Sequence, residues 1–198
     1  MKQTLIVLLF LVSLRTNAQE NELVYDDTKY IYRSLTEALV NPEKVYRLNL
    51  SRQKLDSFPD KIFLFKNLLE LDLSRNRIEE IPPEIGTLVH LTKLNLANNK
   101  LVHLPKEIGE LRDLVNFGLN RNVLEDLPSS IGQLESLEVL ELWDNELADI
   151  PDEISQLQNL KSVELRGILF TEEQQKRIDS LIVKSARVNM SPSCNCKN

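Results

Sequence analysis

Cysteine is almost missing from these 198 residues: the two present, Cys194 and Cys196, stand in the last five positions. No disulfide framework can brace the chain, so its body must be stable through packing alone. A bridge between residues that close would be a small, strained ring, so free or intermolecular thiols fit the pair better than an internal bridge. Two thiolates also lack the further ligands of a structural zinc. Glycine is scarce as well, with 5 residues, and none of them builds a phosphate-cradling loop. The two histidines, His90 and His103, have no obvious nucleophile or carboxylate partner in the sequence, which leaves a catalytic triad without support. Basic residues are outnumbered, 24 against 30 acidic ones, for a net charge of −6. That balance opposes nucleic-acid binding, which depends on Lys and Arg neutralising phosphates. The reading is a chain that is not an enzyme and uses no cofactor and no metal.

Long apolar runs are missing except at the start. Residues 1–18 carry Lys2, an apolar run from Leu5 to Leu14, and a small residue at Ala18. This spells a secretory signal peptide cleaved between Ala18 and Gln19; the alternative is an uncleaved anchor. The run is short for a bilayer span, so no membrane span is expected in the mature chain. The Asn17, Ala18, Gln19 ending is similar to bacterial export signals. The expected location is extracytoplasmic: secreted, periplasmic or on the cell surface.

What the sequence has in abundance is a 23-residue repeat, starting at Val45, Leu68, Leu91, Leu114 and Leu137, with a truncated copy from Leu160. The third copy shows the spelling: Leu91, Leu94, Leu96, Asn99, Leu101, Leu104, Pro105, Ile108, Leu111. A period between about 20 and 29 residues with L-x-x-L-x-L-x-x-N-x-L is a leucine-rich repeat pattern. The chain resembles that family. The added I-G-x-L spelling is similar to repeats shared by bacterial proteins, exported ones included, and intracellular Ras-associated eukaryotic ones. The expected fold class is an α/β solenoid. The resemblance implies a right-handed superhelix with a parallel concave sheet of six strands, an irregular convex side and helical caps.

Each part of the repeat has a physical reading. Strands are predicted from Arg47, Glu70, Lys93, Asn116, Val139 and Ser162, with alternating residues inward and outward. Asn76, Asn99, Asn122 and Asn145 follow, each offering amide donors and an acceptor to backbone groups in the turn; Gln53 and Ile168 replace them at the ends. Pro59, Pro82, Pro105, Pro128 and Pro151 stand in register on the return side, where a residue that cannot donate a ladder bond suits short 3₁₀ turns. Ten apolar residues flank those prolines, Phe58 and Ile62 through Ile150 and Ile154, and should face the core. Ser34 with Glu37, and Thr171 with Gln174, spell capping boxes, the first opening a short N-terminal helix and the second a helix over 172–184. The expected segments are signal peptide 1–18, lead-in and capping helix 19–44, repeats 45–170, capping helix 171–185 and flexible tail 186–198.

Leucine-rich repeat proteins mostly bind through the concave sheet, so the resemblance implies a protein-binding module, with a protein partner and a monomeric state. A structural or self-associating surface component is one alternative, and an intracellular signalling scaffold another. The outward columns of the repeat select the candidate residues. Trp143 is the only tryptophan, and Trp and Arg are enriched among residues that carry binding energy. Around it the repeat places Gly118, whose missing side chain makes a dip, with Asn120, Arg121, Val139 and Glu141. Arg52 and Arg75 belong to a basic edge with Lys54, Arg77 and Lys100. That edge adjoins the acidic Glu141, Asp144, Glu146 and Glu164, and the polarity can steer a charged partner. The bland reading of this edge is a solvated face with cross-repeat ion pairs.

Overall fold

The chain is described over residues 27–193 by a computed structural model; residues 1–18, read above as an export signal, and Cys194 and Cys196 lie outside that range. Seven parallel strands stack in sequence order: β1 Arg47–Asn49, β2 Glu70–Asp72, β3 Lys93–Asn95, β4 Asn116–Gly118, β5 Val139–Glu141, β6 Ser162–Leu165 and β7 Arg187–Met190. From β1 to β6 each residue faces the one 23 positions later, as Leu71 faces Leu94. The central residue of each of these three-residue strands points into the core, and its neighbours stay half-buried or exposed on the outer, concave face.

Ladder-type bonding continues past each short strand. The N–H of Arg52 donates to Ser74 O, that of Arg75 to Ala97 O, and that of Arg121 to Trp143 O. At this point the chain turns. Arg52, Arg75, Asn98, Arg121, Asp144 and Gly167 all have positive φ, between 55° and 79°. One left-handed residue at this position of each repeat, with a second at Lys54 in the first repeat, turns the chain so that in four of the repeats the Asn that follows reaches inward. Asn122 shows the result: Oδ1 accepts from Leu101 N at 3.1 Å, and Nδ2 donates to Leu96 O at 3.1 Å and Leu119 O at 2.8 Å. Asn76, Asn99 and Asn145 repeat the pattern. These bonds supply partners to backbone groups that water cannot reach. At the N-terminal end Gln53 reaches instead to Arg33 O, at 2.8 Å. At the other end Ile168 is simply buried.

The convex side is a column of 3₁₀ turns, Asp60–Leu64, Pro83–Thr87, Lys106–Glu110, Ser129–Gln133 and Asp152–Gln156, each preceded by one of the in-register prolines. All ten flanking apolar residues are buried. Gly86, Gly109 and Gly132 sit where successive turns touch. A Cβ on Gly132 would lie 2.6 Å from Glu153 O, and one on Gly109 2.6 Å from Ser130 O. The first turn carries Phe63 at that position and packs less closely on the second.

Both ends are covered. Tyr32 bridges β1 in parallel, donating to Arg47 O and accepting from Asn49 N. Helix α1, Leu35–Ala38, forms, but Ser34 makes no side-chain cap bond, contrary to the capping box expected there. Glu37 instead accepts from the Tyr30 hydroxyl at 2.6 Å. Helix α2, Glu172–Leu181, has the full Thr171–Gln174 capping box. It is pinned to the last convex turn by Arg177, which donates to Asp149, Asp152 and Ile150 O.

The sequence reading needs correction at the tail. The sheet has seven strands rather than six, because part of the segment taken as flexible, residues 186–198, pairs with β6. Ala186, Val188 and Met190 pack on the core, and Arg187 N donates to Lys161 O at 2.8 Å. An uncovered β6 would leave its edge N–H and C=O groups unpaired.

Candidate partner-binding face

The outward side chains of the strands, with the left-handed column beside them, make one continuous ribbon. Trp143 stands on it just after β5 and is half-buried. The Arg121 guanidinium lies over its ring, 4.6 Å from the centroid. Arg121 is also held by Asp144, Nε to Oδ2 at 3.5 Å. A cation over an indole is attracted to the ring face, so the pair forms one contact unit across two repeats.

That unit forms one wall of a recess of about 330 Å³, bordered also by Ser74, Arg75, Asn95, Ala97, Asn98, Asn120 and Glu141. Asn120 was expected on the outward column; it is only 5 % exposed and contributes to the wall rather than projecting from it. A second recess, about 180 Å³, lies over Gly118 and is bordered by Lys93, Asn95, Asn116, Phe117, Val139 and Glu141. A Cβ at Gly118 would approach Asn95 Oδ1 to 3.0 Å, so the missing side chain is what opens this dip. Glu141 and Asn95 border both recesses. Thus Trp143, Arg121, Glu141, Gly118, Val139 and Asn120 gather on one patch.

Arg52 stands apart. It lines a third recess of about 550 Å³ at the N-terminal end, with Arg33, Asn49, Ser51, Gln53, Asp72 and Ser74. Arg75 borders this recess as well as the one beside Trp143. Arg33 does not belong to the repeat and had no place in the sequence-based columns. Its only signal was being an arginine just ahead of the N-terminal capping helix.

The basic edge divides in two. Arg77 pairs with Asp56 at 3.6 Å, Lys100 with Glu79 at 3.0 Å and Arg121 with Asp144 at 3.5 Å. Arg52, Lys54 and Arg75 have no ion-pair partner among the described residues. The histidines correct another expectation: each does have a carboxylate near it, His103 Nδ1 lying 3.2 Å from Asp126 and His90 Nδ1 4.0 Å from Asp113. Both pairs are exposed on the return side and repeat the one-repeat offset of the other ion pairs. Among the described residues there is no group of three or more His, Cys, Asp or Glu able to hold a metal ion.

Residues 49–188 match the family described as a leucine-rich repeat region. Among solved structures, a leucine-rich repeat protein of Leptospira interrogans is similar at 35% identity and a TM-score of 0.64, over 83% of this chain and 49% of that one. InlP of Listeria monocytogenes matches at 24% identity and a TM-score of 0.59, over 72% of this chain and 38% of that one, which shows the fold alone. The chain therefore spans about half of the first relative and less of the second. No curated protein matches it.

Proposed function

Because the chain belongs to the leucine-rich repeat family, whose fold serves in general as a protein-interaction module, we propose that it is an exported binding protein. On this reading it recognises a protein partner with the patch around Trp143. The observation that carries the proposal is the Arg121–Trp143 pair, which borders an open recess on the sheet face. An indole and a guanidinium already in contact with each other present a joined apolar and charged surface, and Trp and Arg are the side chains enriched among those that carry binding energy. The recesses on either side of Glu141 offer shape, and Glu141 itself offers charge. Export is supported by the signal-like residues 1–18. Among the described residues no helix is long and apolar enough to cross a membrane.

The test is capture of partners from envelope and host-surface extracts with the mature chain, followed by affinity measurement on what is captured. Trp143→Ala should weaken the partner about tenfold or more, the usual size for a central aromatic anchor, and Arg121→Ala should weaken it less. A partner that binds both variants as tightly as the parent protein would remove the Trp143 patch from the proposal. Recovery of the uncleaved chain from the cytosol would remove export.

A further inference from the structure

The arginines of this acidic chain are not paired at random. The described residues contain ten of them. Arg47, Arg77, Arg112, Arg121, Arg166 and Arg177 each meet a carboxylate. Among the described residues, Arg33, Arg52, Arg75 and Arg187 meet none. Three of these four line the same recess of about 550 Å³. Guanidiniums are best satisfied by planar oxyanions, which they grip bidentately, so this recess is a concentration of unmet donors.

The three are held by the backbone. Arg52 and Arg75 occupy equivalent left-handed positions, φ 60° and 59°, in successive repeats. Their N–H groups are bonded to Ser74 O and Ala97 O. Arg33 follows Tyr32, which is paired with β1, and its own carbonyl accepts from Gln53 Nε2. Positive φ costs an L-residue other than Gly, Asn or Asp of order 1–2 kcal/mol, so a glycine would have served the turn at Arg52 and Arg75 more cheaply. Arginine there is explained by what its side chain does.

The floor has a different character. Asp72 makes no ion pair with the arginines around it; Oδ1 accepts from Ser74 N at 2.9 Å and Oδ2 from Asn49 Nδ2 at 3.4 Å. Its carboxylate has remaining acceptor capacity and repels a bare anion placed deep in the recess. A ligand suited to both levels carries negative charge for the rim and hydroxyl donors for the floor. The volume lies within the range of small-molecule sites, and the lining contains no aromatic ring for stacking. We propose that this recess binds an anionic carbohydrate, sugar hydroxyls on Asn49, Asp72 and Ser74 and its acidic groups on Arg33, Arg52 and Arg75. The site adjoins the recess beside Trp143, with which it shares Ser74 and Arg75, but the inference does not rest on the Trp143 reading.

Calorimetric titration of the mature chain with a heparin-derived hexasaccharide tests this, alongside maltohexaose, hexaglutamate and inorganic sulfate. The hexasaccharide should bind, and Arg33→Gln, Arg52→Gln and Arg75→Gln should each weaken it about tenfold, the scale of a charge-assisted hydrogen bond. Arg187→Gln, an unpaired arginine outside the recess, and Trp143→Ala should leave it unchanged. Arg33→Gln and Arg52→Gln should in turn leave the protein partner's affinity intact, so the two proposals fail separately. Circular dichroism and thermal melting of each variant establish that it is folded. Any of four results overturns the inference: no hexasaccharide binding, equal binding of hexaglutamate, equal binding of inorganic sulfate, or an equal loss with Arg187→Gln.

Discussion

Asn122 shows how one side chain serves three backbone groups in two repeats. The carbonyls it bonds, Leu96 O and Leu119 O, also accept from Asn99 and Asn145 respectively. The N–H of Leu101, in contrast, depends on Asn122 Oδ1. Replacement by alanine therefore orphans one buried donor and leaves each carbonyl a second partner. Asn122→Ala should cost about 1–3 kcal/mol, the desolvation penalty of a single unsatisfied group, read as a lower urea midpoint. The sequence announces this residue by its place in the repeat. It does not announce the left-handed residues next to the ladder, because arginine is not a usual occupant of positive φ, and only Asn98, Asp144 and Gly167 hint at the turn. Arg33 was illegible for a related reason. Its position comes from a pairing between Tyr32 and β1 that lies outside the period.

Among the elements, the convex turns were readable as 3₁₀ segments because proline recurs in register, yet their spacing is set by the glycines. Gly132→Ala would press a methyl against a backbone carbonyl, which cannot rotate aside. The expected cost is about 1–3 kcal/mol, typical of overpacking, and it should exceed that of Gly86→Ala, where the contact is 3.0 Å; thermal melting of the two variants compares them. The two capping boxes show the limit of a four-letter spelling. Thr171 and Gln174 close theirs in a ten-residue helix, while Ser34 and Glu37 front a single turn whose carboxylate is taken by Tyr30. β7 was missed because the alternation of Ala186, Val188 and Met190 is short and falls after the repeat ends.

The same helix α2 carries a pH-dependent pair. A hydrogen bond and charge from Lys176 hold the Glu172 carboxyl below its ordinary value, and Glu172 in turn raises Lys176. A lowered carboxylate contributes stability that is present above its unfolded-state value and lost as pH falls through the folded one. For Lys176 the contribution is present below the ordinary lysine value and lost as pH rises through the raised one. Both groups are fully exposed, so the effect is local and salt-screened. NMR titration should place the Glu172 midpoint below the ordinary glutamate range, and Lys176→Met should move it upward; an unmoved midpoint would contradict the assignment.

At the scale of the whole molecule, an acidic chain organises its charge by repeat. Most exposed ion pairs join a residue to one a single repeat away, as Arg112 with Glu135 and Lys161 with Glu138, and such pairs are individually weak. The features that stand outside this regular pattern are therefore the informative ones: the Arg121–Trp143 cation–ring contact and the arginines at the N-terminal end without an ion-pair partner among the described residues. The convex side offers its own candidates, since Leu64 is 54% and Val89 45% exposed. The central claim is that recognition belongs to the sheet face around Trp143. Its most direct test is the affinity of one captured partner for two variants, Trp143→Ala on the sheet face and Leu64→Ser with Val89→Ser on the convex side. The account predicts a loss of about tenfold or more for the first and an unchanged affinity for the second. Loss on the convex side with the tryptophan variant unaffected would contradict it.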